Sequence, residues 1–176
     1  HFPSVNWLRS WSRYEDALEP FYDDLDPEFV QIRTKIKKIF QMEDDLTEIV
    51  QLVGKDSLNE SDKVTLTVAE LLRNDFLQQN GFTKYDRYCP FHKTIGMMRN
   101  FVTYYDLALQ VLETSSPDQK LSWAHIKKQT EKSFIGLSKQ KFIHPKDGEE
   151  AVNSQLKELK ELIETEFRNL IDNLAA

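Results

Sequence analysis

Three places in this sequence carry side chains that could act on another molecule: an aromatic beside a glycine, a lone thiol, and an acidic turn. Phe82 follows Gly81 at the end of the run DLTEIVQLVGKDSLNESDKVTLTVAELLRNDFLQQNGF, and a protein that holds a purine needs such a ring. Ordinary core packing is the competing reading of the same residue, because large aromatics chiefly contribute buried area. Cys89 is the single cysteine. Next to Pro90 and Phe91 it reads as a small inert hydrophobe, whereas exposure near Arg87 or Lys93 would favour the thiolate. His92 invites a Cys/His metal reading, but two ligands do not make a tetrahedral site. His1, His125 and His144 are dispersed, and no metal site is expected. The turn Asp56, Ser57, Leu58, Asn59, Glu60, Ser61, Asp62 has acidic groups spaced by polar ones, and by itself reads as a surface connection.

These residues must be positioned by helices. Phe29, Ile32, Ile36, Ile39, Glu43, Leu46, Val50 and Val53 alternate at three and four, which predicts a long helix ending near Gly54. Glu43 interrupts the stripe and is expected at a bend or a solvated edge, since an unpaired buried carboxylate is costly. Arg33, Lys35, Lys37 and Lys38 precede Glu43, Asp44 and Asp45, a pattern for a solvated face with local ion pairs. Asn59 or Ser61 can cap a second helix from about Glu60 to Gln79, broken at Asn80-Gly81 by a left-handed glycine. Beyond Pro90, Ile95, Met98, Val102, Tyr105, Leu109 and Leu112 mark a helix finishing around Thr114. Trp123 to Leu137 reads as one shorter helix, Phe142 and Ile143 as a loop or at most a small strand, and Val152 to Leu174 as a closing amphipathic helix. The fold expected is all-α, an antiparallel helical bundle over 28–176. Residues 1–27 form a lead-in segment, with Trp7, Leu8, Trp11, Tyr14 and Leu18 on one helical face between Pro3 and Pro20. Beginning at His1 with no initiator methionine, that segment reads as cut from a longer polypeptide.

Composition narrows the function. At 176 residues the chain holds one domain, and a formal charge of -6 disfavours a partner with a phosphate backbone. A single cysteine excludes an internal disulfide and points to a reducing compartment. The sequence has no stretch of eighteen apolar residues and no signal-peptide pattern, so a membrane role would be indirect. Neither a phosphate-binding glycine loop nor a nucleophilic triad signature occurs. A noncatalytic helical interaction module is what composition alone favours.

The segments HFPSVNW, EIVQLVG, DFLQQNGF and YDRYCPF add a family likeness. Together they resemble the C-terminal region of the catalytic A subunit of vacuolar-type proton-translocating ATPases, from His1 to about Glu113 and more weakly through KFIHPKDGEE. The YDRYCPF form is similar to the eukaryotic branch. The resemblance implies the C-terminal domain of a rotary ATPase catalytic subunit, whose upstream core binds and hydrolyses Mg-ATP. It implies a fragment inactive alone, with no catalytic residue here. It makes Phe82 the adenine contact, with Gly81, Asn80, Gln79 and, more weakly, Phe76 around the base. It makes the turn a rotor-facing tip, through Asp56, Leu58, Glu60 and Asp62, although F-type relatives carry adjacent carboxylates where these are separated. Cys89 acquires a redox role, in a reversible disulfide with an upstream cysteine. The partners implied are the remainder of the A subunit, the V-type ATPase B subunit and the D subunit of the central rotor. The place implied is the cytoplasmic face of vacuolar, lysosomal or other endomembranes, reached through the assembled complex.

Overall fold

The structure of the chain, a computed structural model, describes residues 5–54, 57–115 and 121–175. Seven α-helices follow in order among them: α1 (Glu15–Leu25), α2 (Phe29–Val53), α3 (Glu60–Leu71), α4 (Phe91–Thr114), α5 (Trp123–Gln129), α6 (Glu131–Lys139) and α7 (Glu149–Ala175). The described residues contain no strand. The predicted all-α bundle is what forms.

The predicted stripes are the buried faces. Ile32, Ile36, Ile39 and Leu46 of α2 are buried, as are Val152, Leu156, Ile163, Phe167 and Leu170 of α7. The centre is α4, where Phe101, Tyr104 and Ala108 are fully enclosed. Burial pushes the Tyr104 phenol up to about 12, although the hydroxyl keeps a 2.8 Å hydrogen bond to Thr130 Oγ1. α3 runs antiparallel to α4, as Thr65 meets Tyr105 and Phe76, just beyond α3, meets Phe101, and α6 antiparallel to α7, as Ser133 meets Glu166 and Gly136 meets Leu159. The most extensive interface joins α4 to α7, which run in the same direction, since Gly96 meets Leu156 and Tyr104 meets Phe167. Glycine allows that approach: a Cβ on Gly96 would lie 2.7 Å from Leu156 Cδ1.

Several boundaries differ from expectation, each for a local reason. α1 begins at Glu15 and runs through Pro20, so Trp7 and Trp11 precede it. Trp7 packs near Phe40, with ring centroids 6.1 Å apart, while Trp11 is 70% exposed. Trp123 to Leu137 is two helices, not one. At the junction Thr130 leaves helical geometry at φ -110 and ψ 32, its hydroxyl bonded to the Ile126 carbonyl and to Tyr104. The new helix start is capped from α7: Ser133 donates its N–H and its hydroxyl to Glu166 Oε2 at 2.9 and 2.5 Å. Residues Gln140–Phe142 and Pro145–Asp147 form 3-10 turns. Glu43 is neither bend nor solvated edge, since it pairs with Arg73 of the π-helical turn beyond α3. The basic run also pairs across the fold, Lys35 with Asp106 at 2.5 Å and Arg33 with Glu15 at 3.0 Å.

Candidate functional site

α3 gives way to a π-helical turn over Leu72–Leu77, where Gln78 donates its N–H back to the Arg73 carbonyl at 2.9 Å and then turns extended. This ends the helix before Asn80-Gly81. Gly81 is not among the glycines at positive φ, which are Gly54 and Gly148, so no left-handed glycine makes the exit. The loop 78–90 that follows is fixed by polar contacts. Asn80 donates its N–H to Asp86 Oδ2 at 3.0 Å, and Asn80 Oδ1 accepts the Phe82 N–H at 3.0 Å. Thr83 donates its N–H and its hydroxyl to the Asn80 carbonyl.

Phe82 ends up 100% exposed. An aromatic left wholly in water on an internally bonded loop has its face free for another molecule, because its burial would be favourable by about 2 kcal/mol and the fold does not collect it. Gln79, Asn80 and Gly81 are exposed beside it, and a Cβ on Gly81 would meet nothing within 4 Å. Phe76 is different. It is buried, 6.3 Å from the Phe101 ring, and belongs to the core.

Cys89 is half-buried, with Sγ 3.3 Å from Thr94 Oγ1, and it precedes Pro90, the residue before α4. His92 Nε2 is enclosed with no hydrogen-bond partner. Among the described residues no three His, Cys, Asp or Glu side chains come together as metal ligands would.

At the other end of α3 lies the acidic tip. Asp56 falls outside the described residues. Asn59 is the helix cap, accepting the Asp62 N–H at 2.8 Å and the Ser61 hydroxyl at 2.7 Å. Leu58 is turned inside, only 7% exposed, so it offers no outward apolar contact. Glu60 is occupied by its own fold: Oε1 accepts from Lys63 at 2.7 Å and Oε2 from the Trp123 N–H at 2.6 Å. The Lys63 hydrogen bond holds the Glu60 carboxyl below its usual value. Asp62 sits half-buried in the first turn of α3. The apolar residue left outside at this end is Leu52, 85% exposed, with Ile49 near it at 46%. Sequence reasoning missed it. The signal was there, since Leu52 lies off the stripe formed by Leu46, Val50 and Val53.

The sequence profile of the family described as the C-terminal domain of V and A type ATP synthase matches residues 18–122, helices α1 to α4 and both segments just described. The chain belongs to that family. Its relatives extend the match past α4. The V-type proton ATPase catalytic A subunit of Caenorhabditis elegans is 53% identical over 174 residues, that of Beta vulgaris 52% over 174, and that of Dictyostelium discoideum 51% over 172. Each alignment takes in 98% of this chain but only 28 or 29% of the relative. The chain thus spans under a third of the length of the V-type subunits it matches. No helix of the described residues is long and apolar enough to cross a membrane.

Proposed function

We propose that this chain is the C-terminal part of a V-type catalytic A subunit, where it supplies the adenine side of the nucleotide pocket and couples ATP hydrolysis to rotor movement and proton transport. The observation that carries the reading is Phe82, an exposed ring on an ordered loop in a chain half-identical to such subunits. Base stacking on an aromatic face is worth about 1–3 kcal/mol and suits an adenine. Gly81, Asn80 and Gln79 line the approach, and Phe76 supports the loop from within. The phosphates and Mg are held by the remainder of the A subunit at its contact with the B subunit, since this sequence has no phosphate-binding glycine loop.

α3 and its π turn form the lever. From Glu60 to Leu77 they span roughly 25 Å, with the nucleotide loop at one end and the tip, toward the rotor's D subunit, at the other. Asp62 and the exposed Leu52 offer the tip's outer contacts, with Asp56 between them in sequence, while Leu58 and Glu60 stiffen the tip from inside. Residues 1–27 lead from the upstream core, and the exposed Trp11, Tyr14, Phe21 and Leu25 dock against it. The complex reaches the cytoplasmic face of an endomembrane through its other subunits. Cys89, half-buried beside Pro90, is the redox brake of this reading, and Cys89→Ser removes reversible oxidative inhibition of the assembled enzyme.

The test is nucleotide affinity in the full-length A subunit assembled with its B partner. Phe82→Ala weakens ATP and ADP binding about 5-fold to 100-fold. Unchanged affinity in an intact assembly refutes the adenine contact.

A further inference from the structure

Lys93 carries its charge where charge is expensive. It lies in the first turn of α4 and is 1% exposed, and Asp86 in the loop is 8% exposed. A buried ammonium is tolerated only when its donors are met. Burial lowers the Lys93 pKa, opposed by the nearby Cys89 and Asp86. Its Nζ donates to two backbone carbonyls far apart in sequence, Tyr85 at 3.1 Å and Lys141 at 2.7 Å. One belongs to the loop 78–90, the other to the Gln140–Phe142 turn after α6.

Other contacts join the same two segments. Lys141 Nζ reaches back to the carbonyls of Asn74 and Gln78 at 3.5 and 3.4 Å. The rings of Tyr85 and Phe142 meet edge to face, 4.9 Å apart at 77°. From the held Tyr85 the chain passes directly to Asp86, whose carboxylate fixes Asn80, which in turn fixes the Phe82 N–H. A methionine would fill the same space without the desolvation cost, so packing does not explain the lysine. Its ammonium supplies what methionine cannot, a bond to each segment.

We propose that Lys93 is a positioning residue for Phe82, clasping the loop 78–90 to the Gln140–Phe142 turn so that the far half of the bundle sets where the exposed ring stands. This rests on the reading of Phe82 as the base contact. Movement of α6 and α7 relative to α3 then reaches the base through the clasp.

The experiment uses the full-length A subunit assembled with its B partner, carrying Lys93→Met, with Phe142→Ala as a second variant whose exposed side chain leaves the fold intact. Hydrogen exchange of the amides in 78–90 reads the clasp directly. Lys93→Met accelerates it about tenfold or more while the middle of α4 stays protected. Steady-state kinetics read the consequence: KM for ATP rises about fivefold, kcat stays within about twofold, and the change nearly vanishes when Phe82→Ala is already present. Phe142→Ala moves both readouts the same way, by about twofold to threefold. Unaltered exchange, a loss confined to kcat, or full additivity with Phe82→Ala overturns the proposal. The two readings separate cleanly. Accelerated exchange with no effect of Phe82→Ala on KM sinks the base contact, whereas an effect of Phe82→Ala with unaltered exchange in Lys93→Met sinks the clasp.

Discussion

The tip at 57–62 and the loop at 78–90 stand at opposite ends of α3 and its π turn, and they treat their apolar side chains in opposite ways. The tip draws Leu58 in, beside the Asn59 cap and the Glu60 bridge to α5. The loop satisfies its own backbone through Asp86 and Lys93 and leaves Phe82 outside. Both segments are held by hydrogen bonds to buried or half-buried charges. The difference lies in what those bonds are arranged around: a buried leucine in the tip, and an open aromatic in the loop. The ring left in water by this polar scaffold is the feature on which the proposed base contact rests.

The largest expected effect lies just inside the loop. Phe76→Ala costs about 3–5 kcal/mol in urea unfolding of this chain, as for a large aromatic removed from a core, because Phe76 packs on Phe101 under the exposed segment. A loss below about 1 kcal/mol would mean that Phe76 faces outward with Phe82.

Leu58→Ala comes next, at about 2–4 kcal/mol. If Leu58 instead projected outward, the change would stay within about 0.5 kcal/mol. Comparison with Leu52→Ala in the assembled enzyme then separates a stiffening role from direct rotor contact, since the proposed outer contact predicts weaker coupling without lower stability for the exposed Leu52.

The helices and the core were legible because apolar spacing at three and four directly reports a buried face, and α2, α4 and α7 follow it almost to the residue. Leu58 was not legible. A single apolar residue in a polar turn has no period, so nothing in its spacing says that it is buried; the bond that ties the neighbouring Glu60 to Trp123 at the start of α5 spans 63 residues and is as invisible in the sequence. The Thr130 break was hidden in the same way, since it needs the Tyr104 hydroxyl from another helix. Nothing in the sequence announced the burial of Lys93, whose two carbonyl partners, Tyr85 and Lys141, lie 8 and 48 residues away. Phe82 was singled out by its neighbours and the family likeness, and its exposure came only from the fold.

Glu60→Gln has a smaller effect with a distinctive pH dependence. Lys63 and the Trp123 N–H favour the charged carboxylate, so the folded-state pKa lies below the usual 4.5. A depressed carboxylate contributes its stability in full above the unfolded value and loses it as pH falls through the folded value. The substitution therefore costs about 0.5–1 kcal/mol at pH 7, a modest figure because the pair is partly solvated. Wild type and variant converge in unfolding experiments below 4.5. A constant difference across that range would place the contribution in shape and not in charge.

The smallest expected effect is the most telling one. Phe82→Ala should leave the unfolding free energy of this chain within about 0.5 kcal/mol of wild type, because a fully exposed ring has no contacts in the fold to lose. For a phenylalanine that is a strong statement, since the same substitution at Phe76 is expected to be among the most costly in the molecule. Urea unfolding of the two variants side by side reads the contrast directly. A destabilisation above about 1 kcal/mol at Phe82 would show that the ring packs on its own chain, removing the distinction between loop and tip. Unchanged stability combined with weakened ATP binding in the assembled enzyme would place the whole contribution of Phe82 in recognition of another molecule.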